Sequence, residues 1–135
     1  MLKRWLGGSV VGLLVGLLVV GLSSGAGAAK NQTDKQLSAA LKSGLPSVVK
    51  LGADWCSPCR AMKPVLKELA VELKGKVNVL DLNINDQRDL AKQFKVTLIP
   101  TTIFFDRQGK PKGTVTGFQS KEDILAKIKE LKLSK

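Results

Sequence analysis

The chain contains two cysteines, Cys56 and Cys59. Two thiols with two residues between them can close a disulfide across one turn. Their flanks sharpen this reading. Ser47 to Ala53 (SVVKLGA) is apolar with one charge and suits a buried strand. Pro58 to Leu73 has helical spacing. The pair is therefore expected at a helix N-terminus, where unpaired N–H groups and the positive dipole end favour a thiolate. A thiolate is the attacking form in thiol–disulfide exchange. Cys56, on the first turn, is expected to attack a substrate disulfide, and Cys59 to resolve the mixed disulfide.

Other uses of the pair fit less well. A structural zinc site needs four ligands, usually Cys or His. The chain has no His and no further Cys, so no metal is expected. Haem attachment needs His after the second Cys, and Arg60 stands there. An inert disulfide would close only a tiny loop.

The elements that must hold this pair follow from pattern. A helix is expected over Thr33 to Ser43, capped by Thr33 or Asp34, with Leu37, Ala40 and Leu41 on one face and Gly44 ending it. The strand at 47–53 comes next, then the helix at 58–73, interrupted by Pro64, with Leu66, Leu69, Ala70 and Leu73 inward. Val77 to Ile84 alternates and reads as a strand. Asp86 to Phe94 reads as a short helix, and Thr101 to Asp106 as a strand. A turn at 107–111 leads to a strand at 113–117. Ser120 to Leu133 is amphipathic, with Ile124, Leu125, Ile128 and Leu131 inward and a capping box from Ser120 and Asp123. Strands separated by helices predict parallel pairing, and the close last pair predicts an antiparallel hairpin. The fold class is α/β: a mixed four-stranded sheet, order 77–84, 47–53, 101–106, 113–117, with helices on both faces.

Of 135 residues, 44% are hydrophobic and 24% charged, values suited to one packed domain. Residues 1–29 read separately, and the domain is expected at 30–135. Lys3 and Arg4 precede an uncharged run from Trp5 to Ala29, which ends in small residues including Ala26-Gly27-Ala28. This is the pattern of a secretory signal, cleaved after Ala28 or Ala29. The rival reading is an uncleaved anchor or tether through residues 5–29. Either sends the domain out of the cytoplasm, to the periplasm or the outer face of the membrane. The net charge of +11 is spread over scattered lysines and few aromatics, so a solvated surface is expected rather than nucleic-acid binding.

From about Thr33 to Leu133 the chain resembles thioredoxin. Ala53-Asp54-Trp55-Cys56-Ser57-Pro58-Cys59 is similar to that family's active-site sequence. Pro64 matches its helix proline. Ile99-Pro100-Thr101 resembles the loop whose proline is cis and faces the cysteines, and Gly117 matches a glycine by the substrate groove. The resemblance implies a thioredoxin fold and exchange with protein thiols and disulfides. It also implies no bound cofactor, a monomer, and a groove formed by Trp55, Pro58, Ile99, Pro100 and Gly117.

Three departures stand out. Ser57 replaces the usual glycine, although Pro58 keeps the look of a reductase motif. The mature chain starts too late to supply the family's first strand. The family's buried Asp and the Lys of its adjacent strand correspond here to Lys50 and Asp81, with the charges exchanged. A lone buried charge in an apolar strand is costly. A partly buried Lys50–Asp81 ion pair beneath Cys59 is therefore expected, tuning the thiols or moving a proton. Asp81 would be the carboxylate in that place, with neutral Lys50 as the alternative base.

The function expected is an extracytoplasmic oxidoreductase that reduces or exchanges disulfides in exported proteins. That compartment is kept oxidising, so a membrane electron carrier is an implied donor. Two alternatives stay open: a disulfide-introducing oxidant, towards which Lys50 would push, and a non-catalytic binding module, which retention of both cysteines disfavours.

Overall fold

The computed structural model describes residues 26–133, and side chains from Gln32 onward. The segment expected as signal or anchor lies outside the described residues as far as residue 25. Among the described residues, no helix is long and apolar enough to cross a membrane.

The element order is α1 (Ala26–Lys42), β1 (Ser47–Gly52), α2 (Ser57–Glu72), β2 (Asn78–Asn83), α3 (Arg88–Gln93), β3 (Thr101–Phe105), β4 (Pro111–Thr116) and α4 (Lys121–Glu130). Six of the eight begin and end within two residues of expectation. The exceptions are α4, which ends at Glu130 rather than Leu133, and α1, which starts at Ala26 rather than Thr33. The stretch Ala-Gly-Ala-Ala-Lys before Thr33 is rich in alanine, the strongest helix former, so the helix extends past that cap. Asp34 instead accepts a hydrogen bond from Gln87 at 2.7 Å, tying α1 to the residue that precedes α3.

The sheet order among these residues is β2-β1-β3-β4, as expected. β1 and β2 are parallel, and β3 and β4 are antiparallel. One pairing differs from expectation: β3 runs antiparallel to β1. The reason is length. Six helical residues rise only about 9 Å, about half the length of a six-residue strand. α3 cannot carry the chain back along the sheet, so β3 enters at the end where β2 leaves. That places Pro100, at the start of β3, beside the end of β1 and the redox pair.

The period-2 alternation of each strand splits the core in two. Val48 and Phe104 face Met62, Leu66 and Leu69 of α2 and Ile124 and Ile128 of α4. Val49, Leu51, Ile103 and Phe105 face α1 and α3. Full burial of a side chain of this size stabilises the fold by about 2–3 kcal/mol. Ala70, expected inward, is exposed. Edge strand β2 has no fifth strand built from residues 30–33, which are helical. Asn78 on that edge closes the end of α1 instead, donating to the Ala40 carbonyl and to Ser43 Oγ.

The capping box of α4 is present in both directions. Ser120 Oγ accepts from the Asp123 N–H, and the Asp123 carboxylate accepts from the Ser120 N–H at 2.9 Å. Ser120→Ala is expected to lower stability by about 1 kcal/mol in urea unfolding. The Ser120 backbone N–H and hydroxyl hold the Asp123 carboxyl below its ordinary value of 3.8. Its contribution is therefore present above about pH 4 and lost as pH falls through the lower folded value. The gap between wild type and Ser120→Ala should narrow in acid.

Candidate active site

The site forms where β1 ends and α2 begins. Cys56 is the N-cap of α2, and its Sγ accepts from the Cys59 N–H at 3.3 Å. A helix N-terminus thus aims a backbone donor at this sulfur, an arrangement that stabilises negative charge on it. Pro58 sits in the first helical turn, where its missing N–H is not needed. Cys56 and Cys59 are joined as a disulfide with Cα atoms 5.2 Å apart. Cys56 is 6% exposed and Cys59 is fully buried. The outer sulfur is therefore Cys56, as its place on the first turn predicts, although it is more covered than a free surface thiol.

Ile99 and Pro100 reach the pair from β3. The Ile99–Pro100 bond is cis. The Ile99 carbonyl lies 3.8 Å from Cys56 Sγ, and the Ile99 side chain packs on the cysteine cluster. Gly117, at φ 99°, donates its N–H to the Pro100 carbonyl at 2.8 Å. That backbone region favours glycine. The predicted groove residues Trp55, Pro58, Ile99, Pro100 and Gly117 therefore gather at one end of the sheet.

Trp55 is 74% exposed. Leu98 and Phe118 are also exposed. Each of the three is an exposed apolar side chain next in sequence to a residue of the site: Trp55 to Cys56, Leu98 to Ile99 and Phe118 to Gly117. Leu98 and Phe118 were not expected from the sequence; their adjacency to the groove residues was the available signal. At the back of the site Lys63 pairs with Asp54 at 2.9 Å. This contact holds the Asp54 carboxyl below and the Lys63 ammonium above their ordinary values. The expected Lys50–Asp81 pair is formed, with Lys50 buried and Asp81 about one-third (31%) exposed.

Among the described residues no cluster of His, Cys, Asp or Glu is arranged to hold a metal ion. A helix-capped cysteine pair, one sulfur facing a proline loop and the other buried, defines a dithiol–disulfide exchange protein. The thioredoxin family model matches residues 28–130. Curated relatives agree. A thioredoxin of Rickettsia bellii is 37% identical over 98 residues, covering 72% of this chain and 92% of that protein. A thioredoxin of Staphylococcus saprophyticus is 39% identical over 98 residues, covering 73% and 92%. A thioredoxin of Staphylococcus aureus is 38% identical over 92 residues, covering 68% and 86%. The chain belongs to the thioredoxin family, and it is a thioredoxin-type disulfide oxidoreductase.

Proposed function

We propose that this oxidoreductase works outside the cytoplasm, where it reduces or exchanges disulfides in exported proteins. The observation that carries the chemistry is Cys56 Sγ at the N-cap of α2, 3.8 Å from the Ile99 carbonyl. A substrate chain lying along Ile99 and Pro100, with its apolar side chains on Trp55, Leu98 and Phe118, would present its disulfide to that sulfur. The location is supported by the basic start, the uncharged run and the small-residue end of residues 1–29. Net reduction in an oxidising compartment needs a membrane electron carrier as donor. The domain works as a monomer, either freed by cleavage or tethered through residues 5–29.

A second reading, a disulfide-introducing oxidant, is favoured by the cation Lys50 beneath the pair. The potential of the Cys56–Cys59 couple separates the two. A value nearer about −270 mV than about −120 mV is expected, and one at the oxidising end would replace reductase by oxidant. Fractionation of cells expressing the full chain, with mass analysis of its N-terminus, tests the location. Recovery in the cytoplasm with residues 1–29 intact would refute it.

A further inference from the structure

Beneath the redox pair a polar row crosses the sheet. Lys50 of β1 pairs in register with Asp81 of β2 on one side and Thr102 of β3 on the other. Only 1% of Lys50 is exposed, and its ammonium meets the Asp81 carboxylate. Two residues along β1, on the same face, stands Gly52. A Cβ at Gly52 would lie 3.0 Å from Cys59 Sγ and 3.1 Å from Lys50 Nζ. The ammonium and the buried sulfur therefore border the same space, which stays open only because residue 52 lacks a side chain. Their separation cannot exceed the sum of those two distances.

A cavity of about 280 Å³ connects this row to the outside past Gly52, Asp54, Lys63, Asp81 and Asp86. The charged groups lining it are Lys50 itself, Asp81 of β2, Asp86 beyond β2, Asp54 beyond β1 and Lys63 of α2, and Arg60 of α2 reaches Asp54. β3 contributes only the neutral Thr102. Lys63 is paired with Asp54, and Arg60 donates to the Asp54 carbonyl at 2.9 Å. Both helix cations are thus engaged at Asp54. Asp81 opposes Lys50 in charge, but it lies on the solvent side of the ammonium, where its field is screened more.

We propose that the Lys50 ammonium, held by Asp81, stabilises the Cys59 thiolate and so sets the reactivity of the resolving cysteine. This deepens the disulfide-exchange reading and rests on it. In the mixed disulfide, the Cys59 thiol gives its proton to solvent through the cavity. The thiolate then attacks Cys56 Sγ. The new Cys56–Cys59 bond forms as the Cys56–substrate bond breaks, and the electron pair leaves on the substrate sulfur. The protein dithiol is oxidised and the substrate disulfide reduced. Stabilising the thiolate favours the reduced protein, so Lys50 makes the couple more oxidising than an apolar residue there would.

The test separates this role from both folding and overall function. In a Cys56→Ser background, Cys59 is the remaining thiol, and its ultraviolet thiolate absorbance can be followed against pH. Lys50→Met should raise the ionisation midpoint by about one pH unit, a tenfold loss of thiolate at a given pH. Lys50→Arg should restore most of it. In the intact dithiol, Lys50→Met should lower the potential by about 30 mV, the equivalent of tenfold in the exchange constant. Gly52→Ala keeps the charge but puts a methyl group in the shared space, and should move the midpoint the same way by less. It also supplies the answer if Lys50→Met does not fold. An unchanged midpoint in whichever of the two variants folds would overturn the proposal. Insulin reduction by the wild type tests the exchange reading separately, since Cys59 ionisation does not depend on turnover.

Discussion

A Cys59→Ser variant is expected to accumulate covalent adducts with disulfide substrates, and a Cys56→Ser variant to accumulate none. Cys56 Sγ is the helix-capping sulfur, and it lies against the Ile99 carbonyl on the groove side. It is the sulfur a substrate can reach. Cys59 is fully buried and meets only an intermediate already attached to Cys56. With Cys59 removed, the first attack proceeds and the mixed disulfide has no internal exit. With Cys56 removed, the first attack has no nucleophile. Both variants should lose steady-state turnover by about a thousandfold or more, because the two sulfurs act in sequence on one bond. Non-reducing gels with a disulfide-bonded substrate give the reading. Equal trapping by both variants would reverse or remove the assignment. Absence of disulfide turnover in the wild type, with substrate binding unchanged in Cys56→Ser, would point to a binding or chaperone role in place of exchange.

The second large effect concerns stability. Asp81→Leu should destabilise the fold by about 3 kcal/mol, because it leaves Lys50 buried and unpaired. The lower part of the usual range applies, since the Asp81 side of the pair is open to solvent. Lys50→Met should cost less, because the stranded Asp81 carboxylate can hydrate through its exposed face. The double variant, Lys50→Met with Asp81→Leu, should recover most of the loss, as two apolar side chains of similar volume replace the pair. Urea unfolding of the four proteins gives the coupling directly. Additive losses with no recovery would mean that the two residues do not stabilise the fold as a pair. Recovery of stability without recovery of Cys59 ionisation would separate the structural role of the pair from the action of Lys50 on the thiol.

Lys50 and Asp81 show how far reading from pattern can go. Each is a single charge in an otherwise apolar strand, so each needed a partner, and neighbouring strands could supply one. That inference needed only strand order and the price of burying a lone charge. The closeness of Lys50 to Cys59 was less accessible. It depends on Gly52 facing the first turn of α2, and a glycine in a strand announces an approach without naming what approaches. Leu98 and Phe118 were similarly obscure, because an apolar residue in a loop reads the same whether it is packed or exposed.

Local chemistry in the sequence determined the cysteine pair, its helix-cap position, the strand and helix sequence and the Ser120 capping box. Each depends on residues within a few positions of one another, where spacing is enough. Tertiary structure alone decided the direction of β3, the delivery of Ile99 and Pro100 to Cys56, the exposure of Leu98 and Phe118 and the space shared by Lys50 and Cys59. These depend on where the chain re-enters the sheet after a helix too short to cross it, and on which side chains face one another across strands distant in sequence. Only the folded path of the chain sets those distances.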